Sequence, residues 1–207
     1  MIKIFAYGDS NTWGYYPTLN SYDGNDYNTK RFNLNEIWWS YLDNNEVIFN
    51  GVNGRTINND HPDLPNRNAM KTIQDDLVDT NIDLTIIMLG TNDLKDCYKL
   101  TVDDIINNLE KLINVFKEKY QSKIMLLCPP LILDTIVTHE KYTNGIEKIK
   151  EYERKLSRYC VDNNYLFTSA VSCEVGVDGE HLTKDGHKRL GLIVNNRIKK
   201  ELWVFFS

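Results

Sequence analysis

The stretch Ile2-Lys3-Ile4-Phe5-Ala6-Tyr7 is followed directly by Gly8-Asp9-Ser10-Asn11-Thr12, so an apolar run passes straight into a polar turn. Apolar residues that occur almost without interruption are typical of a strand that is covered on both faces, as in a parallel sheet. The turn places the Ser10 hydroxyl at the end of that strand, where ligands bind in open α/β folds. The stretch therefore predicts an α/β protein with a reactive group at the edge of its sheet.

Further apolar runs bounded by turn residues recur along the chain, and amphipathic helical patterns lie between them. The predicted strands are Ile2 to Tyr7, Val47 to Phe49, Leu84 to Leu89, Ile124 to Cys128 and Tyr165 to Ser169. The clearest helical pattern begins at Thr101, where Asp104 completes a capping box. Weaker helical patterns run from Glu36 to Leu42, Asn68 to Val78, Ile146 to Cys160 and Lys184 to Lys200. This alternation predicts a three-layer α/β/α fold in which helices sandwich a parallel five-stranded sheet.

The composition is that of one ordinary globular domain spanning residues 1–207. With 42% hydrophobic and 26% charged residues, the chain can bury a substantial core without help from metals or disulfides. The formal charge of -5 and the scattered lysines and arginines argue against nucleic acid as a partner. No apolar stretch approaches the length of a membrane span. We therefore expect a neutral or small substrate.

Cysteine usage and the two chain ends bear on where the protein works. The four cysteines show no C-x-x-C spacing, and Cys128 and Cys160 lie in predicted buried elements, so we expect reduced thiols in the cytoplasm. The apolar start is too short for a signal peptide, and cleavage there would remove a strand together with Ser10. The apolar ending Leu202-Trp203-Val204-Phe205-Phe206 packs either on its own domain or on a neighbour, and because such patches tend to mark interfaces we expect a homo-oligomer.

Ser10 is a candidate nucleophile provided that a base lies close to it. A serine hydroxyl attacks poorly near neutral pH because its proton must leave, and a histidine within reach can take that proton. The segment Asp178-Gly179-Glu180-His181 offers a histidine and, three residues before it, a carboxylate that can orient the ring. The sequence therefore predicts Ser10 as nucleophile, His181 as general base and Asp178 as the orienting group.

Attack on an ester carbonyl also requires donors aimed at the oxygen on which negative charge develops. The candidates are the backbone N–H of Ser10, the backbone N–H of Gly54 and the side-chain amide of Asn92. A glycine suits this task because the missing Cβ lets the backbone approach a ligand closely. Asn92 follows a predicted buried strand, so we expect its side chain at the same sheet edge as Ser10.

These segments resemble, in order, the sequence blocks of the SGNH (GDSL-type) hydrolases. The blocks here are Gly8-Asp9-Ser10, Gly54, Gly90-Thr91-Asn92-Asp93, and Asp178 with His181. The arylesterase and acyltransferase members are the most similar, through Gly8-Asp9-Ser10-Asn11-Thr12-Trp13-Gly14, Asn53-Gly54-Arg55-Thr56, Ile86-Ile87-Met88-Leu89-Gly90-Thr91-Asn92-Asp93 and Asp178-Gly179-Glu180-His181-Leu182. The resemblance implies a flavodoxin-like fold, hydrolysis of small-molecule esters, no metal or organic cofactor, and often oligomers. It also implies that some members transfer the acyl group to alcohols.

The resemblance is incomplete at the residues that would meet the substrate. The family usually carries leucine after the serine, whereas Asn11 stands there in this chain. We expect Asp9, Asn11 and Trp13 to line the substrate pocket. The aperiodic loops from Tyr15 to Arg31 and from Ile57 to Arg67 match no substrate signature, although long loops of this kind often build pockets.

Each motif also has a purely structural interpretation. Gly-Asp-Ser is a common turn, Asn92-Asp93 can cap a helix, and Gly54 can serve a turn with positive φ. His187 is predicted in the first turns of the last helix, where a structural role is the simpler one. Within the family, the alternatives are a lysophospholipase, a thioesterase or a carbohydrate acetylesterase. Outside it, the loop Ser10 to Gly14 could bind flavin or phosphate, as flavodoxin-like sheets do.

Overall fold

The computed structural model describes residues 1–20, 29–61 and 64–203, without the side chains of residues 202 and 203. These residues form a parallel sheet of five strands, which are β1 (Lys3–Gly8), β2 (Glu46–Gly51), β3 (Leu84–Met88), β4 (Lys123–Cys128) and β5 (Leu166–Ser169). The helices are α1 (Ser10–Trp13), α2 (Ala69–Asp76), α3 (Val102–Tyr120), α4 (Gly145–Asp162) and α5 (Lys184–Trp203). The predicted α/β fold with a parallel five-stranded sheet is confirmed.

The strand order is β2-β1-β3-β4-β5, the flavodoxin-like order. The chain leaves β1 to one side to form β2 and then crosses to the other side to form β3. Open α/β sheets bind ligands at this reversal, outside the carboxyl ends of the strands. The segments that follow β1 and β3 contain Ser10 and Asn92, so the topology brings both to the same crevice.

Side chains alternate across the sheet and build two cores. In β1, Phe5 and Tyr7 pack into the cluster that contains the buried residues of α2, α3 and α4. Ile4 and Ala6 point the other way, into the cluster that contains the buried residues of α5. Helices therefore cover both faces of the sheet, which is why its strands are apolar almost throughout.

The boundary of α3 follows directly from its sequence. Thr101 Oγ1 accepts from the Asp104 N–H at 3.2 Å, and Asp104 Oδ2 accepts from the Thr101 N–H at 2.9 Å, which forms the predicted capping box. The apolar positions share one buried stripe, including Ile105, Leu109 and Phe116. Capping and amphipathic burial thus specify this helix together.

The helix expected from Glu36 to Leu42 is not formed. The segment instead makes two 3₁₀ helices, Leu34–Glu36 and Trp38–Tyr41, separated by Ile37 in an extended conformation. Trp38 and Trp39 are buried in the core on the α5 side, and the Trp39 ring N–H donates to the Thr12 carbonyl at 2.9 Å. Packing of two large rings therefore overrides the weak helical pattern.

Several expectations concern the ends and loops. The four cysteines are free thiols, of which only Cys97 is exposed. No helix in the described part of the chain combines the length and the apolar character that a membrane crossing requires. Residues 204–206 of the predicted apolar ending lie outside the described residues, as do 21–28 and 62–63 of the two predicted pocket loops.

Candidate active site

Ser10 is held at the carboxyl end of β1 by a short, tightly packed helix. Asp9 caps α1, since its Oδ1 accepts from the Asn11 N–H at 3.0 Å. The helix approaches β2 so closely that a Cβ on Gly51 would lie 2.3 Å from the Trp13 backbone nitrogen. Only glycine fits at Gly51, and the sequence thereby fixes the position of Ser10 relative to the sheet.

Ser10, His181 and Asp178 form one continuous hydrogen-bonded chain. His181 Nε2 lies 2.8 Å from Ser10 Oγ, and His181 Nδ1 lies 2.8 Å from Asp178 Oδ2. A carboxylate only accepts, so the bond to Asp178 assigns the ring proton to Nδ1 and leaves Nε2 to accept from the serine hydroxyl. The structure thus brings together the three residues that the sequence predicted as a nucleophile, a base and an orienting group.

The surrounding backbone and one aromatic ring hold this chain in place. Asp178 Oδ1 accepts from the N–H groups of Glu180 at 3.2 Å and His181 at 3.1 Å, and the Thr18 N–H donates to Oδ2 at 3.3 Å. The Tyr15 ring stacks on the His181 ring with centroids 4.3 Å apart. Ser10 is 7% exposed and the His181 side chain 12%, so the hydroxyl and the imidazole keep a small exposed fraction while the Asp178 carboxylate is buried.

Asn11 connects the serine segment to the histidine loop. Its Nδ2 donates to the Glu180 carbonyl at 3.2 Å, and its Oδ1 accepts from the Leu182 N–H at 2.9 Å. These are the backbone groups on either side of His181, so the carboxamide pairs with them as a neighbouring peptide group would. Asn11 therefore ties the residue next to the nucleophile to both sides of the base.

Asp9 and Asn11, two of the residues expected in the substrate pocket, are held by contacts within the protein. Asn11 is 2% exposed and Asp9 is also buried, and their bonds are to protein groups. Both side chains thus hold backbone groups of the site, and the pocket position that the sequence suggested for them stays a prediction. Trp13, the third residue expected there, is half-buried, and the Arg31 guanidinium lies 4.8 Å from the centre of its ring.

The two further donor candidates lie on segments that are bonded to each other. Gly54 adopts φ +74°, which glycine reaches at little cost, and Leu64 Cδ1, at 3.6 Å, is the one atom that a Cβ there would meet within 4 Å among the described residues. Asn92 Nδ2 donates to the Arg55 carbonyl at 3.0 Å, and this bond joins the loop after β3 to the loop after β2. This bond uses one of the two amide hydrogens of Asn92.

Two charged residues that support these loops were not predicted. The buried Arg55 guanidinium donates to the Gly8 carbonyl at 3.0 Å and to Asp76 Oδ2 at 3.0 Å, which ties the end of β1 to α2. The Asp93 carboxylate accepts from the Ile57 N–H at 3.0 Å. Burial raises the pKa of Asp93 to about 6, although the hydrogen bonds to this carboxylate, including the one from Ile57, lower it. Both residues stand in the recognised blocks, but only the fold reveals their partners.

Glu180 is a further unpredicted member of the site. Its carboxylate accepts from the Tyr142 hydroxyl at 2.8 Å and from Lys141 Nζ at 3.0 Å. Burial alone would raise the pKa of Glu180, but the nearby charges of His181, Lys95 and Lys141 outweigh burial and lower that pKa to about 2. Glu180 was visible in the sequence only as a spacer between Asp178 and His181.

His187 lies in the first turns of α5, as predicted, and Thr183 Oγ1 caps that helix by accepting from the Gly186 N–H at 3.0 Å. The His187 ring is buried edge-on against Phe32, and neither ring nitrogen has a hydrogen-bond partner among the described residues. Burial, and secondarily the charge of His181, lowers the pKa of His187 to about 3. The two histidines therefore have opposite environments although they are close in sequence.

Comparisons with known proteins identify the family of this chain. The family model described as the GDSL-like lipase/acylhydrolase family matches residues 6–189. The chain belongs to this family. Comparison with curated protein sequences gives no significant match. Family membership and the fold support a carboxylic ester hydrolase.

Solved structures similar to this GDSL-family chain include an aryl esterase and a carbohydrate acetylesterase. The native aryl esterase of M. smegmatis is 28% identical with a TM-score of 0.85, and the match covers 97% of this chain and 99% of that chain. Est24, a carbohydrate acetylesterase from Sinorhizobium meliloti, is 26% identical with a TM-score of 0.85 and the same coverage. A putative arylesterase from Agrobacterium tumefaciens shares the fold at 23% identity and a TM-score of 0.79.

Proposed function

We propose that this enzyme hydrolyses short-chain acyl or aryl carboxylic esters through an acyl-serine intermediate. The observation that carries the proposal is the chain of two 2.8 Å contacts from Ser10 Oγ through the His181 ring to Asp178. A hydroxyl, an imidazole and a carboxylate in this order are the components of a serine hydrolase site. A flavin or phosphate binder would have no use for such a chain.

In the first half of the reaction, Ser10 Oγ attacks the ester carbonyl carbon and its proton passes to His181 Nε2. The negative charge on the carbonyl oxygen is met by the N–H groups of Ser10 and Gly54 and by the second amide hydrogen of Asn92. The ester C–O bond then breaks, and the proton on His181 goes to the leaving alcohol. The products of this half are the alcohol and an acyl group on Ser10.

In the second half, water attacks the acyl carbon while His181 Nε2 takes a water proton, and the acid leaves as Ser10 regains its hydrogen. An alcohol in the place of water would give acyl transfer instead. Throughout, Asp178 holds the ring with Nδ1 towards itself and stabilises the imidazolium that forms. The short-acyl preference is supported by the aryl esterase and acetylesterase among the similar structures.

A panel of p-nitrophenyl esters of increasing acyl length tests this proposal. We expect kcat/KM to be highest for acetate and to fall as the acyl chain grows, and Ser10→Ala to abolish turnover of every ester. Ser40→Ala is the matched control: among the described residues its hydroxyl bonds to the Ile37 carbonyl alone, so this variant should retain full activity. Highest activity on long-chain or thioester substrates would favour a lysophospholipase or thioesterase instead.

The cellular setting is part of the same proposal. Free cysteines fit a reducing compartment such as the cytoplasm. We also propose a homo-oligomer, on the basis of the apolar C-terminal sequence. Light scattering of the full chain compared with a chain ending at residue 201 would test whether this segment forms the interface.

A further inference from the structure

Lys95 contacts the site, and no step of the proposed reaction uses it. Its Nζ donates to Asn92 Oδ1 at 2.8 Å. Asn92 begins the short 3₁₀ helix Asn92–Leu94, and the Lys95 N–H donates to the Asn92 carbonyl at 3.3 Å. Residues three apart eclipse one another in a 3₁₀ helix, which is why the lysine side chain reaches back onto the asparagine.

The two partners of Asn92 determine which end of its carboxamide faces which way. An ammonium group has only donors, so the amide oxygen must face Lys95. A backbone carbonyl only accepts, so Nδ2 must face Arg55, whose carbonyl lies 3.0 Å away. Exchanging the oxygen and nitrogen would lose both bonds. The carboxamide is therefore locked, and its second N–H keeps one direction.

We infer that Lys95 is a positioning residue that orients the Asn92 carboxamide and polarises its second N–H towards the oxyanion. This inference rests on the proposed function, in which Asn92 is an oxyanion donor. Hydrogen bonds in a chain polarise one another, and bonds to a charged group are stronger than neutral ones. An ammonium on the amide oxygen draws electrons from the amide, so the N–H on the other end becomes a better donor.

The neighbouring charges fit this role. Glu180 forms its ion pair with Lys141, at 3.0 Å, and also lies close enough to Lys95 to act on its charge. Burial lowers the pKa of Lys95, and the Glu180 carboxylate opposes that effect by favouring the charged form. Lys95 thus brings a partly buried positive charge to the side of the site where the proposed reaction develops negative charge.

A double-mutant cycle between Lys95 and Asn92 tests the inference. Its variants are Lys95→Met, Asn92→Ala and the pair of both, assayed on p-nitrophenyl acetate with melting temperatures to confirm folding. Removing one oxyanion donor costs about 100- to 1000-fold in kcat, and we expect Lys95→Met to cost about 10-fold with KM little changed. In the Asn92→Ala background, Lys95→Met should cost less than about 2-fold, because the group on which it acts is gone.

Two further variants separate the effect of the Lys95 charge from its hydrogen bond and provide a control. Lys95→Gln should recover part of the lost kcat, because its amide N–H can still donate to Asn92 Oδ1 without the charge. Lys148→Met is the matched control. This lysine bonds to the Leu94 carbonyl, next to Lys95, and forms an ion pair with Asp96. Its loss also removes a positive charge near Lys95 but no bond to Asn92, so kcat should stay unchanged.

Each alternative outcome has a distinct meaning. An equal loss of kcat from Lys95→Met in both backgrounds would overturn the inference, since Lys95 would then act independently of Asn92. A loss confined to KM would also overturn it and indicate substrate binding. If Asn92→Ala itself leaves kcat unchanged, the proposed oxyanion role of Asn92 fails. If Asn92→Ala costs activity and Lys95→Met does not, only the inference about Lys95 fails.

Discussion

The buried ring of His187 makes the stability of this protein sensitive to acid in a way that can be calculated. Burial lowers the pKa of His187 from 6.5 to about 3, so the folded protein keeps the ring neutral while the unfolded chain binds a proton. When folding lowers the pKa of a base, the group has no effect on stability at pH values above the pKa in the unfolded chain. Below that pKa the unfolded chain binds the proton more tightly, so the free energy of unfolding decreases as the pH drops. The free energy of unfolding should therefore fall below about pH 6.5, at up to about 1.4 kcal/mol per pH unit.

The size of the effect follows from the two pKa values. Between about pH 7 and pH 5, protonation of the unfolded chain lowers the free energy of unfolding by about 2 kcal/mol, and the loss reaches about 4 kcal/mol at about pH 3. The buried Asp9 and Asp93 carboxyls, whose pKa values burial raises to about 6, act in the opposite direction. Their contribution is common to the wild type and a His187 variant, so it cancels in the difference.

Urea unfolding of the wild type and His187→Leu at about pH 7, 6 and 5 measures this difference. The leucine also changes the packing, but that effect is the same at every pH. The difference in the free energy of unfolding between the two proteins should therefore shift by about 2 kcal/mol in favour of His187→Leu between about pH 7 and pH 5. His139→Gln is the control: this exposed histidine pairs with Asp134, which raises its pKa, so any change should have the opposite sign. Parallel pH profiles for the wild type and His187→Leu, or a His187 ring that titrates near its unfolded value by NMR, would show that burial does not keep this ring neutral.

Three further outcomes follow from the site and the fold. Asp178→Asn keeps the shape but no longer fixes the His181 tautomer, so kcat should fall by about 10⁴-fold with little change in KM; a loss below about 10-fold would contradict the assigned role. Asn11→Leu leaves two buried backbone groups without partners, so it should destabilise the protein by about 2 kcal/mol and also lower kcat. The control is Asn195→Leu, which replaces a buried asparagine bonded to Asp43 and should lower stability alone. Equal kcat in both variants would contradict the link between Asn11 and His181. Thr101→Ala removes the α3 cap and should cost about 1 kcal/mol in urea unfolding with full activity; a loss of activity would show that α3 contributes to the site.

The sheet could be predicted from the sequence because burial on both faces leaves a nearly continuous apolar signal in its strands. The start of α3 could be predicted for a similar reason, because the capping box of Thr101 and Asp104 involves only residues close together in the sequence. The segment from Glu36 to Leu42 failed because its conformation depends on where Trp38 and Trp39 pack. A periodic pattern alone cannot report that tertiary preference.

In the site, residues were predictable where their chemistry is distinctive and the fold order constrains them. Ser10, Asp178 and His181 are examples, since few other groups can perform those roles. Arg55 and Lys95 were not, because an arginine or lysine in a loop is usually solvated and only the fold shows what it contacts. The contacts of Asn11 were not predictable for the same reason, since its partners are about 170 residues away in the chain.

Mass spectrometry of the adduct formed with a fluorophosphonate, a reagent that phosphonylates activated serine hydroxyls, shows directly which serine of this enzyme is the nucleophile. We predict one adduct per chain, on the peptide that contains Ser10, formed far more slowly in His181→Gln and absent in Ser10→Ala. An adduct on a different serine, or full ester turnover by Ser10→Ala, would contradict the claim that the hydrogen-bonded chain of Ser10, His181 and Asp178 performs the reaction.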